Sequence, residues 1–289
     1  MAGSVRIPGF RSDAAREKFL AAYDAALESS WPDVPVRAEG VPTAFGTVRV
    51  YRCGPDGTDP FVLLTGAGGN ALAWSRWMDR FADRPVIAVD PLGEPGHSLQ
   101  TAPVRGPEDA AAWLEELLAG LGAERAHLVG VSWGGYLALE HEIRHPGRVA
   151  AITLVDAAGL GPLGWRFWVW LIGGGLAALL PGPLRRRAAR RLRNPTLADD
   201  RLIALLRASL GYRRPHTRAR LLPDDELRAV RVPVQALVGG RSPLGAAADR
   251  LPAVVPDWRV ERFPDAGHAL VLEAEHDVID RVLSFTGRP

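Results

Sequence analysis

Residues 126–135 read AHLVGVSWGG and carry the strongest structural signal in this 289-residue chain. The apolar run 127–131 is typical of a strand buried on both faces. It leads into a G-x-S-x-G motif, GVSWG at 130–134, and then into a segment of helical period. Between a strand and a helix, this motif holds its serine on a strained turn with the hydroxyl exposed above the sheet. Ser132 is therefore predicted to be a nucleophile.

Further apolar runs of strand length lie on both sides of this motif, and most are separated by segments of helical period. The runs cover residues 61–64, 86–89, 152–155 and 234–238, and the helical segments cover 71–82, 108–121 and 133–145. A half-buried antiparallel pair is predicted near residue 36 and at 47–52, and a last strand near residue 260 and a helix over residues 273–285 close the chain. This alternation predicts an α/β fold with a doubly wound, mostly parallel sheet of eight strands.

The interval between residues 155 and 234 is too long for a single crossover connection. It contains an apolar run at 167–180 and an arginine cluster at 185–193. We predict an inserted helical cap over residues 160–228, with the core formed by residues 35–159 and 229–289. Residues 1–34 are predicted to form an N-terminal accessory helix, capped by Ser12.

Composition limits the possible classes of protein. With 47% hydrophobic and 24% charged residues, the chain can bury a core, which excludes intrinsic disorder. Cys53 is the only cysteine, and the N-terminus lacks the apolar segment of a signal peptide, so we expect a cytoplasmic protein. The apolar run 167–180 is shorter than the roughly 20 residues that span a bilayer, so no stable membrane insertion is expected.

The charge pattern gives little indication of a macromolecular partner. The net charge is only +2, and six arginines lie within residues 185–193. Since no motif for reading nucleic acid accompanies this cluster, no nucleic-acid function is expected. The sequence leaves the oligomeric state open.

A serine nucleophile needs a base and an oxyanion hole. His268 follows the last predicted strand, which places it at the carboxyl edge of the sheet with Ser132, so it is the predicted base. The predicted oxyanion donors are the backbone N–H groups of Trp133 and of Ala67, in the glycine-rich loop 65–70. This loop lacks the lysine and Ser/Thr of a phosphate-binding loop, and we expect no cofactor.

Four segments together resemble the α/β-hydrolase fold superfamily: LLTGAGGN at 63–70, VDPLGEPGHS at 89–98, GVSWGGY at 130–136 and FPDAGH at 263–268. The resemblance runs from about residue 36 to the C-terminus apart from the cap, and implies a Ser-His-acid hydrolase, most often an esterase. Thr65 stands where the family usually has histidine. Ser242 lies in the region where most relatives carry the acid.

Asp156 is the predicted acid. It ends the strand 152–155, so its carboxylate is expected at the same sheet edge as Ser132 and His268, and the chain order Ser, Asp, His is kept. Haloalkane dehalogenases and certain lipases of the resembled family place their acid at this strand end. Two alternatives are that Asp156 only forms the following turn, and that Asp90 is the acid.

Two further patterns in the sequence concern a metal site and the substrate pocket. Residues 141–145, HEIRH, match the H-E-x-x-H zinc motif, but no third ligand accompanies them and a Pro-Gly pair ends the helix, so no metal site is expected. Trp165, Phe167 and Trp168 begin the cap and are predicted to contact the substrate in an apolar pocket. The alternatives are packing inside the cap and a membrane-facing lid bordered by the arginine cluster.

The sequence thus predicts a soluble, carboxylesterase-like serine hydrolase. Its expected substrate is an ester, thioester or lactone of a hydrophobic small molecule, cleaved through an acyl-enzyme. The alternative, motivated by Ser242, is a non-hydrolytic homologue: a ligand-binding pseudoenzyme, or a cyclase or eliminase.

Overall fold

A computed structural model describes residues 7–31, 33–81, 83–214 and 219–285. The strands are β1 (Gly9–Phe10), β2 (Arg37–Thr43), β3 (Gly46–Cys53), β4 (Phe61–Leu64), β5 (Val86–Val89), β6 (Leu99–Gln100), β7 (Ala126–Val131), β8 (Val149–Val155), β9 (Tyr212–Arg213), β10 (Val234–Gly239) and β11 (Arg259–Phe263). The α-helices are α1 (Asp13–Ser30), α2 (Pro107–Gly120), α3 (Trp133–Arg144), α4 (Trp165–Ala178), α5 (Gly182–Leu192), α6 (Asp200–Ala208), α7 (Asp224–Ala229), α8 (Ala247–Val254), α9 (Leu270–Glu273) and α10 (Glu275–Ser284). Segments of 3-10 helix are Ala71–Phe81, Pro195–Ala198 and Ser209–Gly211.

The main sheet has the order β11-β10-β8-β7-β4-β5-β3-β2, and β6 pairs with β3 beside this path. The strands from β11 to β5 are parallel, whereas β3 is antiparallel to β5 and to β2. The predicted α/β fold with a mostly parallel sheet is confirmed. Among the described residues the main sheet has nine strands rather than the expected eight, because the two-residue β6 adds to it. A separate small sheet pairs β1 with β9.

Two predicted helices differ from the structure. Residues 71–81 form a 3-10 helix rather than an α-helix, a distinction that apolar periodicity over one segment does not resolve. The closing helix predicted over residues 273–285 begins two residues later, as α10 at Glu275, because Ala274 leaves the helical region with φ −134° and ψ 44°, and the short α9 precedes it.

Helices cover both faces of the main sheet. Successive strand residues point to opposite faces, so Val62 and Leu64 of β4 pack in one apolar cluster with Leu114 of α2. Leu63 packs in the other cluster with Met78. These five side chains are fully buried, and burial of each such side chain contributes about 1.5–3 kcal/mol. The sheet is therefore held rigidly between two layers.

Helices α4, α5 and α6 lie in the chain between β8 and β10 and pack on one another around a small apolar cluster that includes Ala177, Ala189 and Ile203. This region falls within the predicted cap, whose bounds stay a prediction. Residues 215–218 of that cap, and residues 1–6 and 32 of the predicted accessory region, lie outside the described residues. In the part of the chain that the structure describes, no helix is both long and apolar enough to cross a bilayer.

Helix α1 begins as the sequence predicts, since the Ser12 hydroxyl accepts a hydrogen bond from the Ala15 N–H at 3.2 Å. Its Phe19 and Tyr23 are buried in a cluster with Leu72 of the core and Leu205 of α6. Helix α1 thus connects the core with the helices inserted between β8 and β10.

Candidate active site

Ser132 lies on the tight turn between β7 and α3, at the carboxyl edge of the sheet. Its backbone has φ 51° and ψ −112°, a conformation that residues other than glycine rarely adopt. The turn is possible because β7 and α3 can approach closely where Gly130 and Gly134 carry no side chain. A Cβ on Gly134 would lie 2.2 Å from the Leu64 carbonyl oxygen, and one on Gly130 would lie 2.4 Å from the Gly135 nitrogen. The Ser132 N–H donates to the Val155 carbonyl at 3.0 Å, which ties the turn to β8.

His268 lies between β11 and α9 and contacts the carboxylate that ends β8. Its Nδ1 is 2.6 Å from Oδ2 of Asp156. The Asp156 side chain is fully buried, and that of His268 is 13% exposed. A neutral imidazole that donates its Nδ1–H to a carboxylate keeps Nε2 as a proton acceptor. The pair can therefore take up a proton at Nε2.

The Asp156 carboxylate has two further donors. Its Oδ1 accepts the Gly239 N–H at 3.0 Å, and its Oδ2 accepts the Ser242 hydroxyl at 2.5 Å. The Asp156 backbone has φ 46°, and its N–H donates to the Leu237 carbonyl at 2.8 Å. These bonds to β10 and the loop after it hold the residue in a left-handed conformation and fix its side chain towards His268.

The carboxylate of Asp90, the alternative acid, forms its hydrogen bonds with other parts of the fold. Its carboxylate accepts hydrogen bonds from the Tyr23 hydroxyl and from the Ala71 and His97 N–H groups, each at 2.8 Å. Burial raises the pKa of Asp90, although these three donors oppose that effect. The residue joins α1, the 3-10 helix 71–81 and the loop after β5, and among the described contacts none joins it to His268. This arrangement indicates a structural role.

The glycine-rich loop 65–70 lies directly against the nucleophile turn. A Cβ on Gly66 would be 3.3 Å from the Cβ of Ser132. The Gly69 N–H donates to the Gly66 carbonyl at 3.0 Å, which fixes the loop around Ala67. Trp133 is the first residue of α3, and N–H groups in a first helical turn have no intrahelical acceptor. The assignment of the Ala67 and Trp133 N–H groups to an oxyanion hole stays a prediction.

Glu94 supports this loop, and sequence reasoning did not single it out. The Gly68 N–H donates to Glu94 Oε2 at 2.8 Å, and Arg214 Nε lies 3.2 Å from the same oxygen. Burial raises the pKa of Glu94 to about 7, against the lowering effects of Arg214 and the Gly68 N–H. No motif could have indicated this contact, because the three residues come from three separate segments of the chain.

Helix α4 brings an aromatic ring onto the histidine. The Trp170 and His268 ring centroids are 4.9 Å apart, and the planes meet at 85°. Phe167 and Trp168 form an edge-to-face pair at 5.3 Å, while Trp165 is 74% exposed. Of these four, Trp170 contacts the predicted base, yet the predicted substrate contacts were Trp165, Phe167 and Trp168. The sequence does not indicate which face of α4 meets the sheet edge.

His141, the first histidine of the H-E-x-x-H match, joins α3 to α2. His141 is buried, its Nε2 is 2.9 Å from Oε2 of Glu115 in α2, and burial lowers the pKa of His141. Glu115 also accepts a hydrogen bond from Arg148 at 2.7 Å. In the described ranges, no cluster of three or more His, Cys, Asp or Glu side chains has the arrangement of a metal site.

The sheet order, with a serine turn after its central parallel strand, defines the α/β-hydrolase class. The chain belongs to the alpha/beta hydrolase family, whose model matches residues 61–281. The resemblance noted in the sequence is thereby confirmed.

Two relatives in Bacillus subtilis (strain 168) match nearly the whole chain. The uncharacterized carboxylesterase nap is 28% identical over 93% of this chain and 92% of the relative, and carboxylesterase YbfK is 28% identical over 93% of each. Among solved structures, naproxen esterase (carboxylesterase NP) from B. subtilis superposes with a TM-score of 0.82 at 26% identity, covering 95% of this chain and 98% of that one. Carboxylesterase CesB (YbfK) gives 0.78 at 26% identity, covering 94% and 98%.

Proposed function

We propose that this protein is a carboxylesterase-like serine hydrolase, acting through an acyl-enzyme on Ser132. The observation that carries this proposal is the 2.6 Å contact of His268 Nδ1 with the buried Asp156 carboxylate, at the sheet edge where the strained turn presents Ser132. A serine becomes nucleophilic when an imidazole accepts its proton, and the carboxylate stabilises the imidazolium that forms. The carboxylesterase relatives support ester hydrolysis as the reaction.

In the first half of the reaction, Ser132 Oγ attacks the carbonyl carbon of the ester while His268 Nε2 takes the serine proton. The tetrahedral oxyanion receives hydrogen bonds from the Ala67 and Trp133 N–H groups. When the intermediate collapses, the bond to the leaving oxygen breaks, and His268 gives its proton to that oxygen. The alcohol departs, and the acyl group stays on Ser132.

In the second half, water attacks the acyl-enzyme while His268 Nε2 accepts a proton from it. The second tetrahedral intermediate uses the same two N–H donors. Its collapse breaks the bond to Ser132 Oγ, and His268 returns the proton to the serine. The products are a carboxylic acid and the free enzyme, so atoms and charges balance over the cycle.

The proposed substrate is an ester, thioester or lactone of a hydrophobic small molecule. The Trp170 ring beside His268 gives the predicted base an apolar neighbour, and Phe167 and Trp168 begin the same helix. Aromatic walls with few polar groups favour apolar substrates. The structural neighbour named naproxen esterase supports a small-molecule ester as the substrate.

The non-hydrolytic alternative was based on Ser242 at the usual position of the acid. Because Asp156 lies 2.6 Å from His268, the imidazole has a carboxylate partner from the neighbouring strand. The presence of Ser242 therefore gives no reason to prefer a non-hydrolytic homologue.

A fluorophosphonate probe tests the nucleophile, with Ser132→Ala as the variant and the exposed Ser29→Ala as the matched control. We expect labelling and p-nitrophenyl ester hydrolysis in the wild type and in Ser29→Ala, and neither in Ser132→Ala. Mass spectrometry after rapid acid quenching should find the acyl group on the peptide containing Ser132. Equal labelling of Ser132→Ala, or a folded wild type that is neither labelled nor active on any acyl substrate, would refute the proposal.

A further inference from the structure

Helix α4 exposes a continuous row of large apolar side chains. The row, here called the α4 stripe, consists of Trp165, Val169, Ile172, Leu176 and Leu179, which are between 54% and 74% exposed. Their spacing of four, three, four and three residues places them on one helical face. The opposite face carries the buried Gly174 and Ala178. Helix α4 therefore exposes the apolar face that a helix on a protein surface normally packs against the core of the protein.

The apolar surface continues through the turn into α5, where it meets arginines. Leu180 and Leu184 are 36% and 48% exposed. Leu184, Arg187 and Arg191 are spaced i, i+3, i+7, so they share one face of α5, whereas Arg185 and Ala189 are buried on the other. An exposed leucine and exposed arginines thus lie side by side at the end of the α4 stripe.

Three exposed arginines of α5 carry positive charge that the described residues do not neutralise. Asp200 pairs with Arg185 and, at 3.6 Å, with Arg186. Across the ranges that the structure covers, no carboxylate lies within 4 Å of Arg187, Arg190 or Arg191. We call Arg187, Arg190 and Arg191 the arginine face. It is a local cation cluster in a chain whose formal net charge is only +2.

A wide apolar row bordered by arginines matches a surface that is apolar inside and anionic outside. We propose that the α4 stripe and the arginine face dock this protein on anionic phospholipid bilayers. The stripe enters the boundary between headgroups and acyl chains, and the guanidinium groups of the arginine face bind lipid phosphates. Helix α4 has 14 residues, or roughly 21 Å, which is shorter than the roughly 30 Å hydrocarbon core. With its apolar side chains on one face, it is expected to lie in the plane of the interface.

The charge pattern favours a bilayer over a second copy of the chain. In a twofold dimer the same patch faces itself, and because α4 and α5 contain no Asp or Glu, a contact between two such patches offers the arginine face no carboxylate. Cations without a counter-charge across an interface disfavour association. An anionic bilayer satisfies the apolar and the cationic parts of the surface together.

Docking in this orientation brings the candidate site to the lipid. Trp170, on the same helix, contacts His268, and a Cβ on Gly267 would lie 3.4 Å from the carbonyl oxygen of Arg193, which ends α5. Hydrophobic esters dissolved in the bilayer would then reach the site from the interface. This link to catalysis rests on the proposed function, whereas the docking does not.

Vesicle co-sedimentation tests the docking directly. The probe is vesicles of phosphatidylcholine with about one third phosphatidylglycerol, compared with phosphatidylcholine alone. We expect binding to the anionic vesicles that weakens as salt is raised. Arg187→Gln/Arg191→Gln should lower the partition coefficient about 30-fold, from the free energy that two arginines contribute near such a surface. Ile172→Ser/Leu176→Ser should lower it at least about tenfold.

Arg125→Gln/Arg231→Gln is the matched control, because these exposed arginines precede β7 and β10 at the opposite edge of the sheet. Its vesicle binding should equal that of the wild type, and all variants should hydrolyse a short soluble ester normally. Absence of binding to anionic vesicles, or equal loss in both arginine pairs, would overturn the proposal. A dimer that dissociates in Ile172→Ser/Leu176→Ser, with no vesicle binding, would instead assign the stripe to a second copy of this chain.

Discussion

Ser242 Oγ donates a 2.5 Å hydrogen bond to Oδ2 of Asp156, the same carboxylate oxygen that His268 contacts. The Ser242 hydroxyl is itself fixed, since it accepts the Leu244 N–H at 3.0 Å. The serine in the region where most members of the family carry the acid thus donates to the carboxylate that we propose as the acid. Asp156 is held from two sides, by this hydroxyl and by the Gly239 N–H.

Replacing Asp156 tests the acid. Asparagine is nearly isosteric and tolerates the left-handed backbone at this position, so Asp156→Asn should stay folded. It should lower kcat by about 10⁴, the cost of losing the carboxylate in a serine triad. Steady-state kinetics on a soluble p-nitrophenyl ester, with circular dichroism as the check of folding, would measure this.

Asp90→Asn provides the contrast. Because Asp90 accepts three hydrogen bonds that join parts of the fold, this variant should lower the Tm while its folded fraction keeps kcat within a few-fold of the wild type. If Asp90→Asn loses turnover instead, and a folded Asp156→Asn keeps it, the acid has been assigned to the wrong residue.

Replacing Ser242 tests whether its hydroxyl group positions the Asp156 carboxylate. Ser242→Ala removes one donor to a buried carboxylate, and such a hydrogen bond contributes about 1.5 kcal/mol. We expect kcat to fall about tenfold with little change in KM, because this buried hydroxyl bonds to Asp156 and to the Leu244 N–H. Ser242→Thr keeps a hydroxyl and should recover most of the loss. A similar loss in Ser242→Thr, or a rise in KM alone, would contradict the positioning role.

Glu94 should make stability depend on pH. An ordinary glutamate loses its proton near pH 4.5, whereas burial raises the pKa of Glu94 to about 7 in the folded protein. Between these values the native state binds more protons than the unfolded state, so the contribution of Glu94 to the free energy of unfolding falls as pH rises through that window. The full decrease is about 3 kcal/mol.

Glu94→Gln cannot ionise, so its stability relative to the wild type should increase by that amount from pH 4.5 to 7. Urea unfolding at several pH values would measure the difference, and Glu124→Gln, at an exposed site, is the control. A difference that is constant or decreases over this range would show that Glu94 is not held neutral by burial.

Trp170 should affect the handling of apolar esters. Trp170→Ala removes the ring in edge-to-face contact with His268, and such aromatic contacts contribute about 0.5–1.5 kcal/mol. We expect kcat/KM for hydrophobic esters to fall about tenfold, with Trp170→Phe in between. Val169→Ala, on the outer face of the same helix, is the matched control. Equal effects at both positions would mean that α4 acts only through its stability.

The fold was accessible from sequence because its main signals are local. The apolar runs of β4 and β5 and the G-x-S-x-G turn at Ser132 each fall within a short segment. Asp156 could be named because parallel strands end at one sheet edge. The contacts of Glu94, Ser242 and Trp170 could not, since each joins segments far apart in the chain and depends on which helix face packs inward.

The hydrogen bond from the Tyr23 hydroxyl to Asp90 determines where the chain can be shortened. Deleting α1 would remove a donor from a fully buried carboxylate and leave Leu72 and Leu205 without the rings of Phe19 and Tyr23 that cover them. A truncated product starting at β2 would therefore expose apolar surface and aggregate, although it would contain every residue assigned to the reaction. The smallest unit suitable for expression or for grafting onto another protein therefore includes β1, which pairs with β9 and packs Phe10 against Phe19.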